Sequence, residues 1–99
     1  MRVRWSTPAR LHLRSHARHI ALDNPKAARG VVQRVRSAVA GLSTYPLKGR
    51  PGQVVDTREL VIAHTSLTVA YRVADHVVEI IAVIHQAREW PESFDNVTS

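Results

Sequence analysis

Arg2-Val3-Arg4-Trp5 alternates charged and apolar side chains with the period of a short strand. Ser6-Thr7-Pro8 then reads as a helix start, with Thr7 as N-cap and Pro8 at the first helical position, where a missing N–H costs nothing. From there Ala9, Leu13, Ala17 and Ile20 recur at helical spacing and predict a helix to about Leu22. Its apolar stripe carries Arg10, Arg14 and Arg18 on one flank and His12, His16 and His19 on the other.

Asp23-Asn24-Pro25 ends that helix and starts the next, with Asn24 as N-cap and Pro25 leading. Ala28, Val31, Val32, Val35, Val39 and Leu42 then fall on one helical face, with Lys26, Arg29, Gln33 and Arg36 outside. So short a link predicts an antiparallel helical hairpin. Ser43 to Gly52, rich in proline and glycine, reads as a loop. The rest is β. Thr57–Ile62 is followed by Leu67–Val73, whose Leu67, Val69, Tyr71 and Val73 face one way. A turn at Ala74-Asp75-His76 leads into Val77–His85, with Val78, Ile80, Ala82 and Ile84 assigned to one face. The order is β-α-α-β-β-β, an α+β fold with the helical hairpin on one face of a small, mainly antiparallel sheet. Residues 1–91 are expected to form one domain, with 92–99 a polar tail.

Composition narrows the chemistry. The 99 residues hold no cysteine, which excludes disulfides, thiolate metal sites and cysteine nucleophiles. No apolar run has the length of a membrane span and no signal-peptide pattern opens the chain, so the expected location is the cytoplasm, with no membrane partner. Residues 1–50 carry eleven Arg or Lys against the single acid Asp23, a net +10, while residues 51–99 carry three Arg against seven acids, a net −4. Twelve of the fourteen basic residues are Arg, the side chain suited to bidentate contact with carboxylate or phosphate. Charge alone points to an acidic partner and leaves nucleic acid and acidic protein both open.

The row Arg10, Arg14, Arg18 repeats at i, i+4, where like charges destabilise a helix by about 0.2–0.5 kcal/mol per pair. No acid on that helix offsets it, so the row is read as a docking strip for an acidic partner, with Leu11 and Leu22 adding apolar character; a plain solvated face is the alternative. His12 and His19 lie about 10.5 Å apart along the axis, too far for one ion to take all three histidines. No metal or cofactor is assigned. Arg58, Arg72 and His85 are arranged loosely like a nuclease site, His85 as acid or base and the arginines as clamps on a phosphorane. The structural alternative pairs the two arginines with Glu59 and Glu79 across neighbouring strands and is preferred, since no second acid–base group is evident. Tyr71 fits the core. Trp90, with Arg88 beside it, either caps the open end of the core or forms a binding hot spot for a partner. Gly49 and Gly52 read as turn glycines.

The chain resembles the ParE/RelE superfamily of toxins from bacterial type II toxin–antitoxin pairs, the ParE branch more closely. The resemblance runs through Pro8-Ala9, Ile20-Ala21 with Asp23-Asn24-Pro25, Ala28, Leu42 with Pro46, and Gly49-Arg50-Pro51-Gly52. It continues through Thr57-Arg58-Glu59-Leu60, Val69-Ala70-Tyr71-Arg72-Val73, Ile80 to His85, and Arg88-Glu89-Trp90-Pro91. It implies the fold just read and a small toxin of the plasmid-stabilisation type, neutralised in a hetero-oligomer by a cognate antitoxin with an acidic C-terminal segment. ParE-like members act on DNA gyrase by binding, without catalysis of their own. RelE-like members cut messenger RNA on the ribosome, and that is the alternative activity. One departure is plain: the first helix has no acid before Asp23, and has His16 and His19 where relatives often carry aliphatic and aromatic residues.

Overall fold

The computed structural model describes residues 1–86. Strand β1 (Arg2–Trp5) leads into helices α1 (Thr7–Ala21) and α2 (Pro25–Ala40), and α2 ends in a single 3-10 turn, Gly41–Ser43. Four strands follow: β2 (Arg50–Pro51), β3 (Arg58–Val61), β4 (Leu67–Ala74) and β5 (Val77–His85). They form one five-stranded sheet in the order β1-β5-β4-β3-β2, in which β1 runs parallel to β5 and every other pairing is antiparallel. The α+β order and the helical hairpin over the sheet are as expected.

The hairpin closes on a core read directly from helical spacing. Ala9 and Leu13 of α1, Val35 and Val39 of α2, and Leu42 are buried against Leu60, Val69, Tyr71, Val78 and Ile80 of the sheet. At about 25 cal/mol per Å² of apolar surface removed from water, this layer supplies most of the driving force for folding. Asn24 caps α2 as expected, its Oδ1 accepting from the Ala27 N–H at 3.0 Å.

Three details depart from expectation. The N-cap of α1 is Ser6 rather than Thr7: its Oγ accepts from the Ala9 N–H (3.1 Å) and donates to the Ile81 carbonyl (3.1 Å). Its own N–H reaches the Ile80 carbonyl at 3.0 Å, so Ser6 ends the β1–β5 pairing and begins the helix at one position, which puts Pro8 one step further in. Within the expected loop, Arg50-Pro51 pairs with Glu59-Arg58 as an edge strand, and Arg50 forms an ion pair with Glu59.

The third departure is a β-bulge. Ala70 pairs with Ala82 and Tyr71 with Ile80, so Ile81 has no opposite residue on β4. The extra residue reverses the alternation. Val78 and Ile80 face the helices, but beyond the bulge Val83 does so, and Ala82 and Ile84 belong with Ala70, Ile81 and Val54 on the opposite face. The bulge falls where β1 ends, next to the Ser6 hydroxyl.

Candidate functional site

Between α1 and α2, on the outside of the hairpin, lies a groove of about 620 Å³. The paired helices approach through small residues, Ala17, Ala21 and Ala28, which with Pro25 and Val32 leave an apolar floor that no larger side chain fills. Arg14 and Arg18 of α1 and Arg29 and Arg36 of α2 also line it, and among the described residues none that lines it is acidic. Such a surface suits an amphipathic helix with apolar residues on one stripe and carboxylates at its edges. Of the candidate strip, Arg14 and Arg18 line this groove. Arg10 lines an adjoining pocket with Trp5 and Leu13, its Nη2 donating to the Trp5 carbonyl at 3.4 Å. Leu11 and Leu22 are 53% and 82% exposed and lie outside the groove lining. The α2 half of the rim, Arg29 and Arg36, escaped the sequence reading because a seven-residue spacing on the outer face of one helix looks like ordinary solvation.

A second concavity, about 730 Å³, opens at the end of the sheet where β4 outruns β3. Arg58 and Arg72 both line it. His85 does not come near: it pairs with Leu67, five residues along β4 from Arg72, or about 17 Å at strand rise. The register sets Arg72 opposite Glu79 on β5, whereas Arg58 stands opposite Tyr71 and bonds to main-chain carbonyls rather than to Glu59. Glu59 is engaged by Arg50 and Glu79 by Arg4 at 2.5 Å, while the Arg58 Nη1 donates to the Gly49 carbonyl at 2.8 Å and more weakly to that of Leu47. The Arg72 Nε is buried and has no hydrogen-bond partner among the described residues.

Tyr71 is fully buried. Its hydroxyl donates to the Pro46 carbonyl and accepts from the Gly49 N–H, both at 2.8 Å. Burial raises its pKa above the usual 10.0, against opposing effects of the Gly49 N–H and Arg58, so the phenol stays protonated at neutral pH and its proton is committed. Gly49 is required by closeness rather than by turn geometry: a Cβ there would sit 2.6 Å from the Tyr71 Oη and 2.7 Å from the Glu59 carbonyl oxygen. Neither Gly49 nor Gly52 has a positive φ; among the described residues positive φ falls on Asp56, His64, Asp75 and His76.

Two of the three helix histidines have a structural task. Past Ile80, β5 has no β1 residue beside it, and the Val83 main chain points toward α1. His12 Nδ1 accepts from the Val83 N–H and His16 Nε2 takes the Val83 carbonyl, both at 3.2 Å, so two rings stand where a neighbouring strand would. A carbonyl only accepts, so His16 Nε2 carries a proton, and His12 Nδ1 must lack one. Burial, with the neighbouring His16 second, lowers the His12 pKa below 6.5 and favours that neutral form. His19 is exposed on the next turn. Arg88 and Trp90 lie outside the described residues.

The sheet and the element order have counterparts among known proteins. The family model for the ParE toxin of the type II toxin-antitoxin system parDE matches residues 3–90. The chain is 41% identical over 91 residues to a candidate toxin, Y4kP of Sinorhizobium fredii, covering 92% of this chain and 94% of that protein. It is 33% identical over 86 residues to the toxin RelE2 of Caulobacter vibrioides, covering 87% and 96%. Its fold superposes on a chain of the chromosomal ParDE TA system from P. aeruginosa with a TM-score of 0.77 at 24% identity, covering 86% of this chain and 95% of that one. With a model match across nearly its whole length, the chain belongs to the ParE toxin family of type II toxin–antitoxin systems.

Proposed function

We propose that this toxin is held inactive by a cognate antitoxin whose acidic, amphipathic helix occupies the α1–α2 groove, and that the released toxin acts in the cytoplasm on DNA gyrase by binding it. The groove carries the first half of this reading: an apolar floor with four arginines and, among the described residues, no acid asks for apolar residues flanked by carboxylates. Desolvating the floor should govern release, and the charged rim should speed encounter. The second half rests on family membership together with the dispersal of the acid–base candidates. His85 is far from the arginine pair, and the Tyr71 proton is already shared with Pro46. Toxicity by binding needs no acid–base set.

A second reading, ribosome-dependent cleavage of messenger RNA, is favoured by the likeness to the toxin RelE2 and by the two arginines on one concavity. Inducing the toxin alone in a bacterial host separates the two. Gyrase poisoning predicts a DNA-damage response and trapped gyrase–DNA complexes while translation continues, with growth restored by co-expressing the antitoxin from the same operon. Immediate translation arrest with supercoiling intact would refute the gyrase reading. Growth arrest that the antitoxin fails to relieve would refute neutralisation.

A further inference from the structure

The end of the sheet carries an unfinished edge. β3 pairs with β4 only as far as Arg58 opposite Tyr71, yet β4 continues through Arg72, Val73 and Ala74. The next partner would be Asp56 opposite Val73, but Asp56 has φ 63°, and there the chain turns out of the sheet. The Ile62 N–H donates to the Leu67 carbonyl, so Leu67 and every second residue after it direct their main-chain groups toward β3. β4 has no extra residue, so this parity reaches Val73. Its N–H and C=O therefore point into the concavity it lines, and among the described residues nothing pairs with them.

Three neighbours define what would complete this edge. Arg72 lines the same concavity, and its Nε, buried, has no hydrogen-bond partner among the described residues, so a carboxylate docking beside this guanidinium would meet a cation whose donors are not all used. Leu47 and Val55 stand on the rim, 61% and 82% exposed. Tyr45 and Leu47, both exposed, lie on the segment running from the end of α2 to this rim, an apolar path from the helical hairpin toward the sheet edge.

We propose that the notch beside Arg72–Ala74 is a second docking site for the antitoxin, taking a short extended segment that adds to β4 as a strand. One residue of it exchanges main-chain hydrogen bonds with Val73. The residue opposite Arg72 shares that side chain's face of the sheet and is an Asp or Glu, whereas the residue opposite Val73 lies on the core side and is apolar. An acidic residue next to an apolar one, outside the helical stretch, is thus the expected sequence mark on the partner. The inference rests on the proposed neutralisation by an antitoxin and adds a contact that the groove does not require.

The test uses full-length toxin with the full-length antitoxin of its own operon. Amide hydrogen exchange at Val73, followed by NMR, should slow at least tenfold on saturation, and Arg72→Gln should raise the Kd at least fivefold. That factor should be the same in an Arg14→Glu/Arg18→Glu background, as two separate sites demand. If the antitoxin binds but Val73 exchange is unchanged, the notch is not a docking site, although neutralisation through the groove stands. Slowed exchange with an unchanged Kd for Arg72→Gln would overturn the acidic occupant. Absence of any binding would overturn both readings, and if Arg72→Gln fails to fold, Val73 exchange in the unmodified toxin decides alone.

Discussion

Tyr71→Phe is expected to cost stability without touching function. The hydroxyl serves two main-chain groups at 2.8 Å each, the Gly49 N–H and the Pro46 carbonyl. Gly49 is buried, so its N–H is left without water or partner, a loss of about 1–3 kcal/mol. Pro46 is half-buried, and water can reach its carbonyl, which limits that loss to about 0.5–1 kcal/mol. The ring stays in the core, so no cavity opens. The sum, about 1.5–4 kcal/mol, is a large part of the roughly 5–15 kcal/mol typical of a small domain. At about 4–8 °C per kcal/mol for a domain of this size, Tm should fall by roughly 6–30 °C. Urea denaturation followed by circular dichroism measures it, with the midpoint lowered and the slope unchanged. A loss below 1 kcal/mol would refute the accounting. Loss of toxicity at a temperature where the variant is fully folded would show instead that the phenol does chemistry.

Four further outcomes follow from the same geometry. Gly49→Ala should destabilise by about 1–3 kcal/mol, since its Cβ meets both the Tyr71 hydroxyl and the Glu59 carbonyl; a Tm within 2 °C (roughly 0.4 kcal/mol or less) of the parent would contradict this. The His12 pKa is lowered in the fold, so the unfolded chain binds the proton more readily; the contribution is complete above pH 6.5 and is lost as pH falls through the lower folded value. Urea midpoints should fall on that acidic side, and His12→Asn, whose oxygen can still accept from Val83, should flatten the dependence. Arg14→Glu/Arg18→Glu should slow antitoxin association roughly tenfold or more at low salt and weaken its salt dependence, with a smaller effect on dissociation; stopped-flow rates equal to the parent would make the rim a solvated face. His85→Ala should leave toxicity unchanged, which a growth assay reads directly.

The helical hairpin was legible because the apolar positions from Ala28 to Leu42 keep one helical phase with no competing period. The bulge was not. Val77 to Ile84 is apolar on both faces apart from Glu79, so alternation there has no phase to read, and the break at Ile81 depends on where β1 stops. Ser6 and Thr7 are both competent caps, and only the pairing of Ser6 with Ile80 decides between them. His12 and His16 bond to the main chain of Val83, a partner that leaves no trace in residue identity. The arginine row of α1 was visible as unbalanced charge, but its counterpart on α2 became part of a site only when the hairpin closed and the alanine-lined floor came between them.

The most direct measurement of the proposed activity is a paired reaction with one preparation of purified toxin. Gyrase, ATP and relaxed plasmid form one arm, and a ribosome programmed with messenger RNA the other. Action on gyrase by binding predicts dose-dependent loss of supercoiling with accumulation of cleaved, gyrase-linked plasmid, relief of both by equimolar antitoxin, and intact messenger RNA. Normal supercoiling at a toxin concentration that cuts the codon in the ribosomal A site would contradict it.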